Sequence, residues 1–237
     1  MQINTKKLDS FRSLIQSIDL EGPPSAAFVG SPVDSPARCL VLDAAFNPPT
    51  VAHWGLARSG ALASGASHVI LQLSCSNVDK GIMEANLAQR LYMVAALATL
   101  KEQTSVTVCS HARFIDKANA LTALDRQIQP IFAIGYDTLV RLFDPKYYED
   151  MAGELEILFE KAEFVVGNRG DTDQSEMDRY LEDRTEYGGR IHTVTLDASF
   201  SDVSSSNVRR RSGQGENVRA LVPEPVADLI KAFGLYT

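Results

Sequence analysis

The residues best suited to chemistry lie in a short turn at the start of the apolar core. Residues 46–53 read Phe-Asn-Pro-Pro-Thr-Val-Ala-His and closely follow the apolar run 39–42. This order predicts a buried strand, a proline-stiffened turn and a helix that opens at His53. Open α/β sheets bind nucleotides at turns that follow the carboxyl ends of parallel strands. Backbone N–H groups and a His at a helix start can donate to phosphate oxygens.

A second turn with suitable donors lies about 150 residues downstream. Residues 204–206 are three serines, and residues 209–211 are three arginines. Serines at a helix N-terminus cap the helix and offer hydroxyl and N–H donors to phosphate. For Arg210 and Arg211 a solvated basic face is the favoured interpretation.

Together the two turns resemble the two signatures of the nucleotidyltransferase superfamily, a Phe-Asn/Asp-Pro-x-His/Thr-x-x-His loop and a Ser-Ser-Thr-x-x-Arg turn. The resemblance implies that His53 contacts phosphate at the reaction centre, that Arg209 grips the triphosphate, and that both are catalytic. Thr50 stands where a second phosphate-facing residue is found, and Ser206 keeps the hydroxyl of the commoner Thr. The resemblance also implies nucleotide binding by a further set: Ala45, Phe46, Asn47, Ser205, Asn207 and Val208.

Two positions depart from the superfamily pattern. Ala44 and Ala52 stand where glycine is often found. Ala has the smallest side chain that carries a Cβ, so close approach of the loop survives unless a positive φ is required. A nucleotide-binding regulator without catalysis is therefore one alternative, against which the intact His53 and Arg209 weigh.

Two stretches in the middle of the chain resemble nicotinamide or nicotinate mononucleotide adenylyltransferases. Gly135 and Asp137 resemble a Gly-x-Asp element, in which the Gly admits the adenosine and the Asp accepts from a ribose hydroxyl; a helix-capping Asp is the alternative. Residues 144–148, Asp-Pro-Lys-Tyr-Tyr, stand where an aromatic stacks on the nicotinamide ring. Tyr148 is the choice for that stack, with Tyr147 as the alternative.

Three cationic residues complete the expected nucleotide contacts. The resemblance places Lys80 against phosphate and Arg169 beside the nucleotide. Arg90 either assists them or is an exposed helix charge.

The resemblance covers about residues 39–233 and looks closest to a small eukaryotic-microbial branch of the adenylyltransferases. It implies transfer of AMP from ATP to nicotinamide mononucleotide, which gives NAD and pyrophosphate. Mg²⁺ would enter with ATP, held by phosphate oxygens and water. A superfamily member with another phosphate acceptor is the alternative. The preference between nicotinamide and nicotinate stays open. Because this stretch has no evident cation beyond Lys146 to select a nicotinate carboxylate, the nicotinamide form is expected to be used at least as well as the nicotinate form.

Alternating strand and helix patterns must position these residues. They predict an α/β fold, a Rossmann-like doubly wound parallel sheet with helices on both faces. Residues 1–37 are expected to form an N-terminal helix and a linker, and residues 38–237 a nucleotidyltransferase domain. The predicted strands are 38–43, 68–74, 104–109, 130–135, 163–167 and 190–196. The predicted helices are 1–20, 53–64, 84–100, 116–127, 136–143, 173–184 and one that closes the chain after residue 225.

Charge and composition bear on the binding partners of the protein and on its cellular compartment. The net charge of −7 argues against a nucleic-acid polymer as the main partner. Cys39, Cys75 and Cys109 lie in apolar runs, which predicts buried free thiols in a reducing setting. No apolar run approaches ~18 residues, so no membrane helix is expected. We expect a cytoplasmic protein; a nuclear location and a homo-oligomer are left open.

Overall fold

A single mixed sheet positions the site. The computed structural model describes residues 2–30, 37–76, 85–168 and 174–237. Within these residues seven strands pair in the order β1-β4-β3-β2-β5-β6-β7. All neighbours are parallel except β1 and β4, which are antiparallel. The strands are β1 Ala26–Phe28, β2 Arg38–Asp43, β3 His68–Ser74, β4 Thr104–Cys109, β5 Gln129–Gly135, β6 Glu163–Gly167 and β7 Ile191–Val194.

Helices cover both faces of this sheet. In the described part of the chain, three short 3₁₀ helices span Pro145–Tyr147, Thr185–Arg190 and Ala198–Phe200. The α-helices are α1 Thr5–Gln16, α2 Val51–Ser64, α3 Leu87–Ala98, α4 Phe114–Leu124, α5 Tyr136–Leu142, α6 Met151–Lys161, α7 Gln174–Glu182, α8 Ser205–Gly213 and α9 Glu224–Phe233.

Each face of the sheet has its own hydrophobic core. Successive side chains of a strand point to opposite faces, and β2 divides accordingly. Leu40 and Leu42 belong to the core that contains α2, α3 and α9 residues. Cys39 and Val41 belong to the core that contains α4, α5 and α6 residues. The near-continuous apolar run of β2 therefore reflects burial on both sides.

The order of the strands creates one crevice. The chain adds β3 and β4 on one side of β2 and then returns to add β5 and β6 on the other. Adjacent loops therefore leave β2 and β5 in opposite directions, and ligands of open α/β sheets bind at such a point. Asp43 ends β2 and Gly135 ends β5 at this crevice.

Two glycines let helix α2 pack closely against Phe200 and Leu40. A Cβ added at Gly55 would come within 2.5 Å of the Phe200 ring, and one at Gly60 within 3.0 Å of Leu40. The glycines thus allow an approach that a larger side chain would prevent, and they fix the helix that carries His53.

The predicted fold class is confirmed, and six of the seven strands match the predicted ones closely. Two elements were missed. Strand β1 lies inside the predicted linker, where it extends the sheet, and α6 was not predicted although Leu155, Leu158 and Phe159 have helical spacing. Helix α2 begins at Val51 rather than at His53. The division into residues 1–37 and 38–237 stays a prediction.

Across the four described ranges, none of the helices has the length and apolarity that a membrane span requires.

Candidate active site

A reciprocal cap holds His53 at the start of α2. Thr50 is the N-cap residue, and its Oγ1 accepts from the His53 N–H at 3.3 Å. In return the Thr50 N–H donates to His53 Nδ1 at 3.0 Å, and Thr50 Oγ1 lies 2.7 Å from the same nitrogen. Because Nδ1 accepts, the neutral ring carries its proton on Nε2. The ring lines a cavity, so an Nε2–H donor is what His53 offers there.

The loop before this helix is held from within the core. Phe46 is 1% exposed, has φ 46°, and places its ring 5.2 Å from the His53 ring. Asn47 is 2% exposed, and its Oδ1 accepts from the Tyr236 hydroxyl at 2.7 Å. The described cavity lining includes Ala44 but not Ala45, Phe46 or Asn47. The side chains of Phe46 and Asn47 therefore support the loop.

Helix α8 brings the second signature onto the first. Ser204 caps α8 by accepting from the Asn207 N–H at 3.0 Å. The Ser205 hydroxyl donates to the Pro48 carbonyl at 2.8 Å. Arg209 donates through Nη1 to the Asn47 carbonyl at 2.8 Å and through Nη2 to Ser206 Oγ at 3.4 Å. Two turns that are far apart in the sequence thus form one structure.

The other predicted residues of α8 have local roles. Val208 is fully buried, and the Asn207 amide donates to the Asp202 carbonyl. Arg210 donates to Gln214 and Asn207, and Arg211 pairs with Glu216. These contacts are exposed and within or next to α8, which agrees with a solvated basic face for Arg210 and Arg211.

A cavity of about 720 Å³ opens at the crevice between β2 and β5. Its volume lies within the usual range for small-molecule sites. Residues at the carboxyl ends of both strands line it together with side chains from α2, α4, α5 and α6. The arrangement joins apolar walls to a few charged groups, which suits a ligand with a ring and a phosphate.

Only some of the residues predicted to contact the ribose and the pyridine ring line this cavity. Gly135, Tyr147 and Tyr148 line it, whereas Asp137 is exposed on the first turn of α5 and is not part of the described lining. Tyr148 is half-buried and its hydroxyl donates to the Leu142 carbonyl at 2.5 Å. Burial raises the pKa of Tyr148. Tyr147 is 53% exposed, with Lys146 Nζ 4.8 Å from its ring centroid.

Sequence reasoning missed two ion pairs in the cavity wall. Lys117 Nζ lies 2.6 Å from Asp43 Oδ2, and both side chains are buried. Arg113 pairs with Glu154, and this hydrogen bond lowers the pKa of Glu154. A signal existed for the first pair, because Lys117 shares the buried face of α4 with Leu121, one turn away.

Comparison with known proteins places the chain among nucleotide enzymes. The sequence model of the cytidylyltransferase-like family matches residues 41–211. The chain belongs to this family.

Relatives define the branch of the cytidylyltransferase-like family. A Schizosaccharomyces pombe protein, assigned provisionally by its name as a nicotinamide mononucleotide adenylyltransferase, is 30% identical over 97% of this chain and 95% of its own length. A Clostridium tetani protein, named with similar reserve as a nicotinate-nucleotide adenylyltransferase, is 29% identical over 44% of this chain and 48% of its own length. The chain is thus an adenylyltransferase of the pyridine-mononucleotide branch.

Solved structures share the fold. Plasmodium falciparum nicotinic acid mononucleotide adenylyltransferase complexed with NaAD superposes with a TM-score of 0.59 at 14% identity, over 84% of this chain and 97% of that one. The same enzyme complexed with APC gives a TM-score of 0.58 at 13% identity, over 84% and 96%.

The three cationic residues expected to help bind the nucleotide have different outcomes in this adenylyltransferase. Lys80 and Arg169 lie outside the described residues. Arg90 is 3% exposed and donates to the Ala85 carbonyl at 2.6 Å, so of its two alternatives the exposed helix charge is wrong, and assistance in nucleotide binding stays a prediction.

The cysteines of this adenylyltransferase are free and buried, as predicted. Burial raises the pKa to about 11 for Cys39 and Cys75 and to about 12 for Cys109. The thiols are therefore protonated at neutral pH and are unsuited to act as nucleophiles.

Proposed function

We propose that this adenylyltransferase transfers AMP from ATP to nicotinamide mononucleotide, which gives NAD and pyrophosphate. A phosphate oxygen of the mononucleotide attacks the α-phosphorus of ATP. The new P–O bond forms as the bond to the β-phosphate oxygen breaks, and pyrophosphate leaves. The protein must hold both phosphates in line and offset the negative charge that develops on their oxygens.

The observation that carries this proposal is the joining of the two turns beside one cavity. Ser205 and Arg209 bond to the carbonyls of Pro48 and Asn47, and His53 follows in the same loop. This arrangement fits a phosphate chain that lies between the starts of α2 and α8. Helix N-termini favour anions because their first N–H groups have no acceptor within the helix.

His53 and Arg209 have different roles in the proposal. His53 donates from Nε2 to an oxygen of the transferring phosphate, since its Nδ1 is occupied by Thr50. Arg209 binds the β- and γ-phosphates with the charge of its guanidinium, while its bond to the Asn47 carbonyl orients the group. Ser206 supplies a hydroxyl at the start of α8.

Mg²⁺ fits this site as a companion of ATP. Within the described ranges no three His, Cys, Asp or Glu side chains gather as a metal site would need. Oxygen ligands from phosphates and water are what Mg²⁺ commonly uses. When bound, the ion would supply positive charge to the triphosphate.

The acceptor is proposed from the wall of the cavity. Tyr148 is the residue proposed to stack on the pyridine ring, with Tyr147 at the rim, and Gly135 leaves room for the adenosine. The relative that aligns with nearly the whole chain is named for the nicotinamide form, which supports nicotinamide mononucleotide as the acceptor.

The test is product formation by the purified chain. ATP, Mg²⁺ and nicotinamide mononucleotide should give NAD, measured by coupled reduction with alcohol dehydrogenase, and equimolar pyrophosphate. His53→Ala is the inactive comparison: it should lose turnover while its melting temperature falls by only a few degrees, because it also removes the acceptor of the Thr50 N–H. If neither mononucleotide yields a dinucleotide, the proposal is wrong. Pyrophosphate release with pantetheine phosphate or with CTP and a choline-like phosphate would then identify another acceptor.

A further inference from the structure

A buried ion pair occupies the cavity wall. The Lys117 ammonium and the Asp43 carboxylate are 2.6 Å apart, with side chains only 3% and 9% exposed. Both residues line the cavity at the crevice. Burying two charges costs free energy that a single contact does not fully offset, so a buried ion pair usually adds little to the stability of the fold. The position of this pair points to recognition.

The pair is braced from the sheet. Gln72 Nε2 donates to Asp43 Oδ1 at 3.4 Å, and Thr107 Oγ1 donates to Gln72 Oε1 at 3.2 Å. Cys109 Sγ lies 4.0 Å from Asp43 Oδ1. These contacts come from β3 and β4, so they orient the carboxylate from the side of neighbouring strands.

Both side chains of the Asp43–Lys117 pair can form further hydrogen bonds with a ligand. An ammonium has three N–H donors, and Asp43 accepts one of them in the described structure. A carboxylate has about four lone-pair sites, of which the contacts with Lys117, Gln72 and Cys109 use three. A strong donor and a strong acceptor therefore lie side by side in the wall.

Aromatic groups and other charges surround the pair. Lys117 Nζ lies 5.3 Å from the centroid of the Phe114 ring, which also lines the cavity with Tyr148. A second ion pair, between Arg113 and Glu154, lies in the same wall, and the charges of its two side chains cancel. Phe114 and Tyr148 therefore offer aromatic surface in the same cavity as Asp43 and Lys117.

We propose that the Asp43–Lys117 pair selects a pyridine mononucleotide that carries a neutral carboxamide over one that carries a carboxylate. This inference rests on the proposed function. A primary carboxamide accepts through its oxygen and donates through its NH₂, so it matches Lys117 and Asp43 together. A carboxylate only accepts, and it meets the negative charge of Asp43. Discrimination arises as much from that repulsion as from attraction.

The experiment compares the two mononucleotides on the wild-type chain and on Asp43→Asn. Asn keeps the size of Asp and an acceptor for Lys117 but removes the charge. Wild type should have the higher kcat/KM with the nicotinamide form. In Asp43→Asn the ratio of nicotinate to nicotinamide kcat/KM should rise by about tenfold or more, because a like charge at contact distance is removed.

Glu154→Gln is the matched control, since it also removes one carboxylate from the same cavity. It should leave the ratio within about twofold of wild type, a difference small against the tenfold step. An equal rise in both variants would overturn the proposal and indicate a general effect of net charge. An unchanged ratio in Asp43→Asn, or a wild-type preference for the nicotinate form, would also overturn it.

Binding measurements separate this inference from the proposed function. Calorimetric titration of the wild-type chain measures the Kd of each mononucleotide. This measurement does not depend on turnover or on the folding of a variant. Tighter binding of the nicotinamide form to wild type, with a smaller difference in Asp43→Asn, supports selection by the pair even where no dinucleotide is made. That outcome would contradict only the proposed reaction. Equal or weaker binding of that form contradicts the selection, while dinucleotide formation would leave the reaction standing.

Discussion

Replacing Arg209 by Lys should damage the use of ATP while conserving charge. Arg209 uses Nη1 for the Asn47 carbonyl at 2.8 Å and Nη2 for Ser206 Oγ at 3.4 Å. The planar guanidinium can keep the first contact and still present donors to a phosphate. A Lys ammonium is a compact point charge on a flexible stem and lacks the fixed fork of the guanidinium, so in Arg209→Lys it cannot hold the loop carbonyl and a phosphate in the same fixed geometry.

The size of the effect follows from the contact that is lost. A hydrogen bond to a charged group contributes about 1.5–3 kcal/mol, which corresponds to roughly 10- to 150-fold in kcat/KM. The effect on folding should be smaller, since the guanidinium is only partly buried. We expect a loss of stability of at most about 1 kcal/mol, or about 2–4 °C in Tm for a chain of this size.

The assay is steady-state NAD formation with ATP varied at saturating nicotinamide mononucleotide. Arg210→Lys and Arg211→Lys are matched controls on the same helix with the same chemical change. Their partners are Gln214, Asn207 and Glu216, which are exposed or half-buried. Surface contacts of this kind contribute less than about 1 kcal/mol, so both controls should retain kcat/KM for ATP within about fivefold.

Equal losses at all three positions would refute the reasoning and favour a diffuse basic patch. A normal kcat/KM for Arg209→Lys would remove Arg209 from phosphate binding and leave it the structural role of joining α8 to the loop. A fall in Tm of about 10 °C or more would show that the bond to Asn47 mainly stabilises the fold.

Three further predictions concern catalysis, the acceptor and acid stability. His53→Ala should lower kcat by ~10²-fold or more with little change in Tm, the usual scale for one preorganised donor; near-normal turnover would exclude the role. Tyr148→Ala should raise KM for the mononucleotide about fivefold, for roughly 1 kcal/mol of stacking, without a matching change for ATP; the same pattern in Tyr147→Ala instead would reassign the stack. Arg38 lowers the pKa of Glu163 below 4.5, so this carboxylate stabilises the fold above that pH and the benefit is lost as pH falls through the lowered pKa. The Tm advantage of wild type over Glu163→Gln should therefore shrink from pH 7 to pH 3, and a constant difference would contradict it.

The fold was largely predictable because its strands are buried on both faces. Strand β3, for example, is buried along its whole length and carries the apolar residues Val69–Leu71 and Leu73, although His68, Gln72 and Ser74 are polar. Strand β1 has three residues with no alternation, so only its pairing with β4 reveals it. Long-range pairing of so short a strand leaves no local signal.

The candidate site was predictable only where local patterns carry chemistry. Thr50 and His53 stand three residues apart at a helix start, which is the spacing of a cap, and the structure shows that cap. The contact of Tyr236 with Asn47 joins residues 189 positions apart. Nothing near either residue in the sequence indicates that contact, because it depends on where α9 ends relative to the loop.

A matched motif also does not separate residues that contact a ligand from residues that hold the loop. Phe46 and Asn47 belong to the same motif as His53, yet their side chains are buried and bond or pack within the protein. Lys117 and Asp43 belong to neither of the two turns, yet both line the cavity. In the proposed function the two motifs serve the phosphate chemistry, which would be common to many acceptors. If the choice of acceptor comes from the remaining walls of the cavity, the buried Asp43–Lys117 pair at the end of β2 is a charged part of those walls that can take part in it.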